Sequence, residues 1–347
     1  MNSISNLPLI SIVIPNYNGA RYIGNCLRSL QSQSYTKMEI VVVDNASEDQ
    51  SREMVLETAS QAILLRNDRN MGFAGGANAG IRASHGDWIA VLNNDTEAAE
   101  DWLAECVQAI QSHPDAAFLA CRIVEFFDRR RLFSAGDCFL RAGIGYRRGQ
   151  EQEDREDFQQ ECEIFSTSGC AALYRKSVLE KMGYFDERFF AYLEDVELGL
   201  RLQAAGHRGY YVPRAEVRHY GAATSGGEFS ALAVRLRTRN SLLLLLKSVP
   251  ARFVWRCLPM IFFAQLSWFS RAAVHTRLGS YVRGLGEALL MAPAMIQDRA
   301  PLRPHWRQSH ARLWQKILES ELMARRDFTS AKAKPISLFL QWYFRLF

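Results

Sequence analysis

The residues best suited to chemistry fall into two groups. The first is a series of polar stretches that each follow an apolar run: Pro15-Asn16-Tyr17-Asn18-Gly19, Asp44-Asn45-Ala46-Ser47, Arg66 to Phe73, and Asn93-Asn94-Asp95-Thr96. A single stretch of this kind is an ordinary turn or helix cap, because Asn, Asp, Ser and Gly satisfy backbone groups at chain reversals. Four in succession describe one polar rim. In the second group, Gly169, Asp186, Glu187, Glu194, Asp195, Glu197 and His219 are set among aromatic residues. Leu198 and Leu202 mark the apolar stripe of a helix that starts near Glu194 and stops at Gly206. Asp195 stands in its first turn, where the helix dipole favours an ionised carboxylate. Such a group can take a proton from a hydroxyl. Acids in a first turn are also a common helix-start signal.

The elements that must position these residues follow from the apolar pattern. Leu9–Ile14, Glu39–Asp44, Ala62–Leu65, Asp87–Asp95 and Ala116–Phe126 read as strands. Between them lie helical patterns from Tyr22 to Leu30, Asp49–Ala59, Ala74–Ser84 and Glu100–Ser112. Strands apolar on both faces and separated by helices imply a parallel sheet covered on both sides. In such sheets ligands bind outside the carboxyl ends of the strands, which is where the polar rim falls. Residues 127–163 break the pattern with DRRR, GIGYRRG and EQEDRED, and are expected to form a mobile, solvated surface excursion.

Charge divides the chain. The net charge of +5 over 347 residues is the sum of −9 for residues 1–230 and +14 for residues 231–347. Apolar residues make up 48% and charged residues 23%, ordinary globular values that exclude a disordered or disulfide-scaffold protein. The seven cysteines are scattered with no CxxC pair, so free thiols are expected rather than a zinc ribbon or redox motif. The N-terminus lacks the basic segment and cleavage site of a signal peptide. In the C-terminal part, the apolar runs Cys257–Ser270 and Ala288–Ile296 are shorter than the roughly 20 residues a membrane span needs. Basic residues such as Arg235, Arg239 and Arg252 beside the run Leu242–Leu246 and several tryptophans suit helices lying on an anionic membrane surface. That apolar content is too high for a solvated nucleic-acid groove, so no nucleic-acid partner is expected. A helical dimer surface is the competing use, which keeps a homo-oligomer among the candidate partners.

Six strings, in order and spacing, resemble family 2 glycosyltransferases, and most closely their rhamnosyltransferase-like branch: SIVIPNYNG, EIVVVDNASEDQS, NMGFAGGANAGI, GDWIAVLNNDT, GCAALYRKSVLEKMGYFDERFFAYLEDVELGLRLQAAG and VRHYGAAT. The resemblance spans residues 8–245 and implies a GT-A nucleotide-diphospho-sugar transferase fold. It implies that Pro15, Tyr17 and Asn18 line the nucleotide pocket and that Asp44 accepts a hydrogen bond from the pyrimidine. Asn70, Gly72, Phe73 and Asn78 would lie around nucleotide and sugar. Asn94 and Asp95 fall on the family's metal-binding motif, Asp195 on its general base, and His219 on a further metal ligand of some members. Glu194 is expected to contact the acceptor sugar. Two positions depart from the pattern: Asn93-Asn94-Asp95 has one carboxylate, and Tyr220 stands where many relatives have a second histidine.

The implied reaction is transfer of one sugar with inversion, from a nucleoside diphosphate to a lipid-linked or cell-envelope glycan. Rhamnose from dTDP-rhamnose is favoured over UDP- or GDP-sugars, with Mg2+ or Mn2+ as cofactor. The expected organisation is a catalytic domain over 1–230 and a basic helical region over 231–347. The expected location is the cytoplasm, peripherally on the inner face of the membrane. A processive polysaccharide synthase is the nearest rival, disfavoured by the lack of a QxxRW string. A binding protein that has lost catalysis is opposed by the presence of both Asp95 and Asp195. A dinucleotide dehydrogenase is opposed by the spacing of Gly72-Phe73-Ala74-Gly75-Gly76.

Overall fold

A computed structural model of the chain describes residues 7–150, 152–221, 227, 229–300, 302–330 and 338–347, with backbone alone at 303–309 and 330. Ala222, Ala223 and Thr224 of the VRHYGAAT string, Gly226, Glu151 of the acidic stretch and the Trp306 side chain lie outside the described residues.

The strands are β1 (Ile10–Asn16), β2 (Met38–Asp44), β3 (Ile63–Arg66), β4 (Trp88–Leu92), β5 (Thr96–Ala98), β6 (Ala116–Glu125), β7 (Leu132–Ser134), β8 (Asp137–Leu140), β9 (Ile144–Arg147), β10 (Cys162–Glu163), β11 (Ala171–Arg175) and β12 (Arg208–His219). The helices are α1 (Ile23–Gln31), α2 (Ser51–Thr58), α3 (Gly72–Ala83), α4 (Trp102–Ser112), α5 (Lys176–Met182), α6 (Glu194–Ala204), α7 (Ala231–Lys247), α8 (Ala251–Arg256), α9 (Leu258–Val274), α10 (Leu278–Gln297), α11 (Arg303–Ser330) and α12 (Leu338–Leu346).

The main sheet runs β10-β12-β6-β11-β4-β1-β2-β3. The block β4-β1-β2-β3 is parallel, as the doubly apolar strands predict. β11 then enters antiparallel between β4 and β6, so β6 does not neighbour the strand that precedes it in the helical alternation. Pro15 is tolerated because the β1–β4 pairs end at Val13↔Val91, so its missing N–H removes nothing from that ladder. Alternate strand residues feed a core on each sheet face: Ile12, Ile14 and Val42 pack with α1 and α4 on one side, Val13, Val41 and Val43 with α3 on the other.

Residues 127–163 correct the expected surface excursion. β7 joins the main sheet, and β8 and β9 form a hairpin closed where Gly143 N–H donates to the Leu140 carbonyl at 2.9 Å. Cys138, Leu140 and Ala142 are buried against Leu340, Tyr343 and Phe344 of α12. The charges that suggested solvation have partners far away in sequence: Arg148 meets Asp327 at 2.9 Å, Arg141 meets Glu321 at 2.6 Å, and Arg122 bonds Asp154.

The helices after residue 230 are packed onto the sheet part. Leu243, Leu244 and Leu245 are buried with Phe189, Val196 and Leu200, each contributing on the order of 2 kcal/mol. The run Leu242–Leu246 is therefore core rather than the membrane-facing feature expected of it. Ion pairs fasten the same junction: Lys247 lies 2.8 Å from Asp186 and 2.9 Å from Glu197, Arg188 2.6 Å from Asp298, and Lys316 2.9 Å from Glu163. Among the described residues, no helix is long and apolar enough to cross a membrane.

Candidate active site

A cavity of about 980 Å³ opens at the carboxyl ends of β1 and β4 and is closed on its far side by α7, α9 and α12. Pro15, Tyr17 and Asn94 line one end with Asn16 and Asn45; Asn70, Gly72 and Phe73 form the adjoining wall; Asp95, His219, Glu194 and Asp195 face the interior.

Local structure explains these placements. Asn94 Nδ2 donates to Asn16 Oδ1 at 2.7 Å, and a Cβ on Gly19 would lie 2.1 Å from Asn94 Nδ2 and 2.2 Å from Asn16 Oδ1, so a side chain there would displace that pair. Gly72 opens α3 with φ +70°, and a Cβ would fall 2.4 Å from the Phe190 carbonyl oxygen. Only glycine meets both demands. β5 pairs antiparallel with the end of β12, setting His219 opposite Thr96. His219 Nε2 thereby reaches 3.2 Å from Asp95 Oδ1, with both side chains about 95% buried. His219 Nδ1 is buried with no hydrogen-bond partner.

Three of the sequence-derived residues do not line the cavity. Asp44 accepts from Ser47 N–H at 3.2 Å and faces Arg52 at 3.9 Å. Asn18 accepts from Glu48 N–H at 2.8 Å. Asn78 ties α3 to the segment before α6, donating to the Phe185 carbonyl at 2.9 Å and to Glu187 Oε1 at 3.0 Å, and accepting from Phe185 N–H at 3.1 Å.

The acids at the start of α6 have separate fates. Glu197 is fully buried between Arg201 at 2.8 Å, Lys247 at 2.9 Å and the Ser248 hydroxyl at 2.6 Å. Despite burial, these cations hold its carboxyl down to about 2. Asp195 accepts from Gly169 N–H at 2.9 Å and Val196 N–H at 2.8 Å. Burial nevertheless pushes its carboxyl above the usual range, outweighing the preference for the charged form that the Gly169 and first-turn N–H groups supply. Glu194 is pushed well up by burial and by Asp195, and its Oε2 has no partner.

Two residues that the sequence reading assigned to a solvated loop enter this site. Burial and the neighbouring Asp195 push the Asp137 carboxyl up to about 7, while Arg147 opposes the shift. Arg147 itself is lowered, first by burial and then by Arg237 of α7. The signal that could have found them is the hairpin pattern DCFL-RAG-IGYR, two short runs around a three-residue turn with glycine. Arg235, Arg237, Trp268 and Arg271 also line the cavity, although the sequence reading assigned the tail to a membrane surface.

The segment before α6 is backbone-strained. Phe190, Tyr192 and Leu193 have φ of 65°, 69° and 67°. Asn240 of α7 holds it, with Nδ2 2.9 Å from the Phe189 and Ala191 carbonyls and 2.7 Å from that of Tyr192. Arg239 adds bonds to the Arg188 and Phe189 carbonyls at 3.0 and 2.8 Å.

The fold and cleft define a GT-A-like sugar-nucleotide transferase architecture with added C-terminal helices. The likeness reaches a mannosyltransferase from Pyrobaculum calidifontis, solved with GDP-Man and Mn2+, at a TM-score of 0.52 and 18% identity over 94% of this chain and 88% of that one. It also reaches TarS 1-349 of S. aureus, solved with UDP-GlcNAc, at 0.53 and 17% over 91% of each chain. The chain belongs to glycosyl transferase family 2, whose profile matches residues 11–183, and is a glycosyltransferase. It is 27% identical over 242 residues to an N-acetylglucosaminyl-diphospho-decaprenol L-rhamnosyltransferase of Mycobacterium tuberculosis, covering 63% of this chain and 78% of the relative.

Proposed function

We propose that this enzyme transfers one sugar, rhamnose from a dTDP donor, with inversion onto a lipid-linked saccharide at an anionic membrane surface. In this reading, residues 1–230 supply the chemistry and residues 231–347 close and orient the acceptor side. The observation that carries it is the placement of Asp95 with His219 and of Asp195 within one cavity, joined by the asparagine-lined end of the sheet. The mycobacterial relative favours rhamnose and a lipid-linked acceptor.

Asp95 and His219 offer a hard oxygen and an imidazole nitrogen 3.2 Å apart, and the partnerless His219 Nδ1 leaves ring reorientation unopposed by a hydrogen bond. Among the described residues no third His, Cys, Asp or Glu joins them, so this pair fits a divalent cation completed by diphosphate oxygens and water. When bound, such a cation supplies charge neutralisation of the leaving diphosphate. Pro15, Tyr17 and Asn94 hold the nucleotide end, and Asn70, Gly72 and Phe73 lie along the sugar. Asp195, fixed by two backbone N–H groups, takes the acceptor hydroxyl proton as the new bond forms. Attack opposite the diphosphate needs only this one base, unlike the carboxylate pair of a glycosidase. Glu194 lies beside it to contact the acceptor.

The test is a melting-temperature panel of dTDP-, UDP- and GDP-sugars with Mn2+, followed by transfer assays on Asp195→Asn. A donor that binds raises the melting temperature by mass action. The variant is expected to lose roughly 10²–10⁴-fold in transfer while keeping donor binding. Near-native transfer by the variant overturns the base assignment, and a flat panel overturns the donor reading.

A further inference from the structure

The cavity has two chemically different halves. At the ends of β1 and β4 its walls are asparagines with Asp95 and His219. Beyond Asp195 the lining comes from β9, α7, α9 and α12, where Arg147, Arg237 and Arg271 stand with Leu236, Trp268 and Phe339. A sugar hydroxyl alone does not call for three guanidinium groups.

Each of these arginines lies over an aromatic ring. The Arg147 guanidinium is 4.1 Å from the Phe133 centroid, Arg237 is 5.1 Å from Tyr192, and Arg271 is 4.8 Å from Phe229 and 5.9 Å from Trp268. Stacking fixes the plane of the fork, and a fixed fork suits the paired oxygens of a phosphate. Arg147 and Arg237 are near enough to repel, which lowers Arg147 further. Two cations held together inside a cavity are relieved by an anion between them. The neighbouring acids oppose this less than their number suggests, because burial pushes Asp137 and Glu194 toward their neutral forms.

The same helix that brings Trp268 and Arg271 into the cavity is apolar on its outer side. Leu258, Phe262, Leu266 and Phe269 of α9 recur at helical spacing and are all exposed, Phe262 by 67%. Val282 and Leu290 of the adjoining α10 are exposed as well. A ligand with a phosphate head and a hydrocarbon chain matches both faces at once, whereas a free phosphate matches only the inner one. We propose that Arg147, Arg237 and Arg271 form an acceptor subsite for the diphosphate of a polyprenyl-linked saccharide, whose hydrocarbon leaves past Trp268 and Phe339 along the outer face of α9. This assignment rests on the proposed transfer to a lipid-linked acceptor and says where its charged head group sits.

The experiment uses the full chain with saturating dTDP and Mn2+ to fill the donor half, and titrates farnesyl diphosphate calorimetrically. Farnesol and inorganic pyrophosphate are the parallel arms. The expected result is binding of farnesyl diphosphate in the presence of dTDP, with farnesol and pyrophosphate each weaker by roughly tenfold or more. Arg237→Ala/Arg271→Ala and the single variant Arg271→Gln, at an exposed position, should weaken farnesyl diphosphate and leave dTDP binding within about twofold. Displacement of farnesyl diphosphate by dTDP, or unchanged affinity in both variants, overturns the subsite. Pyrophosphate binding as tightly as farnesyl diphosphate overturns the lipid assignment. Failure of dTDP and every nucleotide sugar to bind would instead overturn the proposed function, and the arginine dependence of farnesyl diphosphate binding would still judge the subsite.

Discussion

Asp195 shows how burial and a neighbouring cation set the working range of a base. Asp195 acts only when ionised, and burial holds it in the protonated form at higher pH than usual, while the Arg147 guanidinium opposes that shift. The transfer rate should therefore rise with pH along an acid limb. Arg147→Gln removes the positive neighbour that favours the ionised carboxylate and should move that limb to higher pH, read from kcat/KM profiles of the two proteins. An unmoved limb would show that the Arg147 charge does not act on Asp195. Glu197 illustrates the opposite balance. Its folded value of about 2 lies below the unfolded carboxylate value, so its ion pairs stabilise the protein above about pH 4 and fade as pH falls through that range toward 2. Glu197→Gln leaves Arg201 buried without its counter-charge and Lys247 with Asp186 alone, and should cost about 3 kcal/mol at neutral pH, measured by urea unfolding.

Among the elements, α7 does most to connect packing with chemistry. Its leucines fill a core, its Lys247 joins Asp186 and Glu197, and its Asn240 holds three carbonyls of the strained turn that delivers Asp195. Non-glycine residues at positive φ cost roughly 1–3 kcal/mol each and persist only when their surroundings impose them. Asn240→Ala withdraws that support. It should lower kcat several-fold or more with little change in the donor KM, and the native acid limb should be retained because no titrating group is lost. An equal rise in donor KM with unchanged kcat would assign Asn240 to binding instead. The β8–β9 hairpin plays a similar part, since its pairing of Asp137 with Arg147 places both at the cavity wall.

At the scale of the whole molecule, the opposed charges of the two parts are partly neutralised against each other. The acids Glu321, Asp327 and Asp298 of the tail and the bases Lys247 and Lys316 all pair across the junction. Deleting the tail would strip a shared core, so membrane attachment is better tested on the surface. Phe262→Glu/Leu266→Glu changes two exposed side chains of α9 and should reduce binding to anionic liposomes by roughly tenfold or more while leaving the melting temperature nearly unchanged. Undiminished liposome binding would remove α9 from the attachment surface.

The sequence by itself determined the parallel strands, the polar rim at their ends and the positions of Asp95 and Asp195, because doubly apolar strands and the residues after them are written locally. It also carried the family through the order of its strings. It did not determine the hydrogen-bond partners of Asp44, Asn18 and Asn78, which are not among the cavity's lining residues, since those partners are chosen by the fold. Nor did it show that 127–163 and the tail enter the site. Charges at Arg148, Arg141 and Lys247 look solvated until Asp327, Glu321 and Glu197 are brought beside them, and the Leu242–Leu246 run looks like a membrane face until Val196 and Leu200 cover it. The tertiary structure decided those points because each depends on a partner distant in sequence. Even Asp95 and His219, which the family strings single out together, owe their contact to the pairing of β5 with the end of β12.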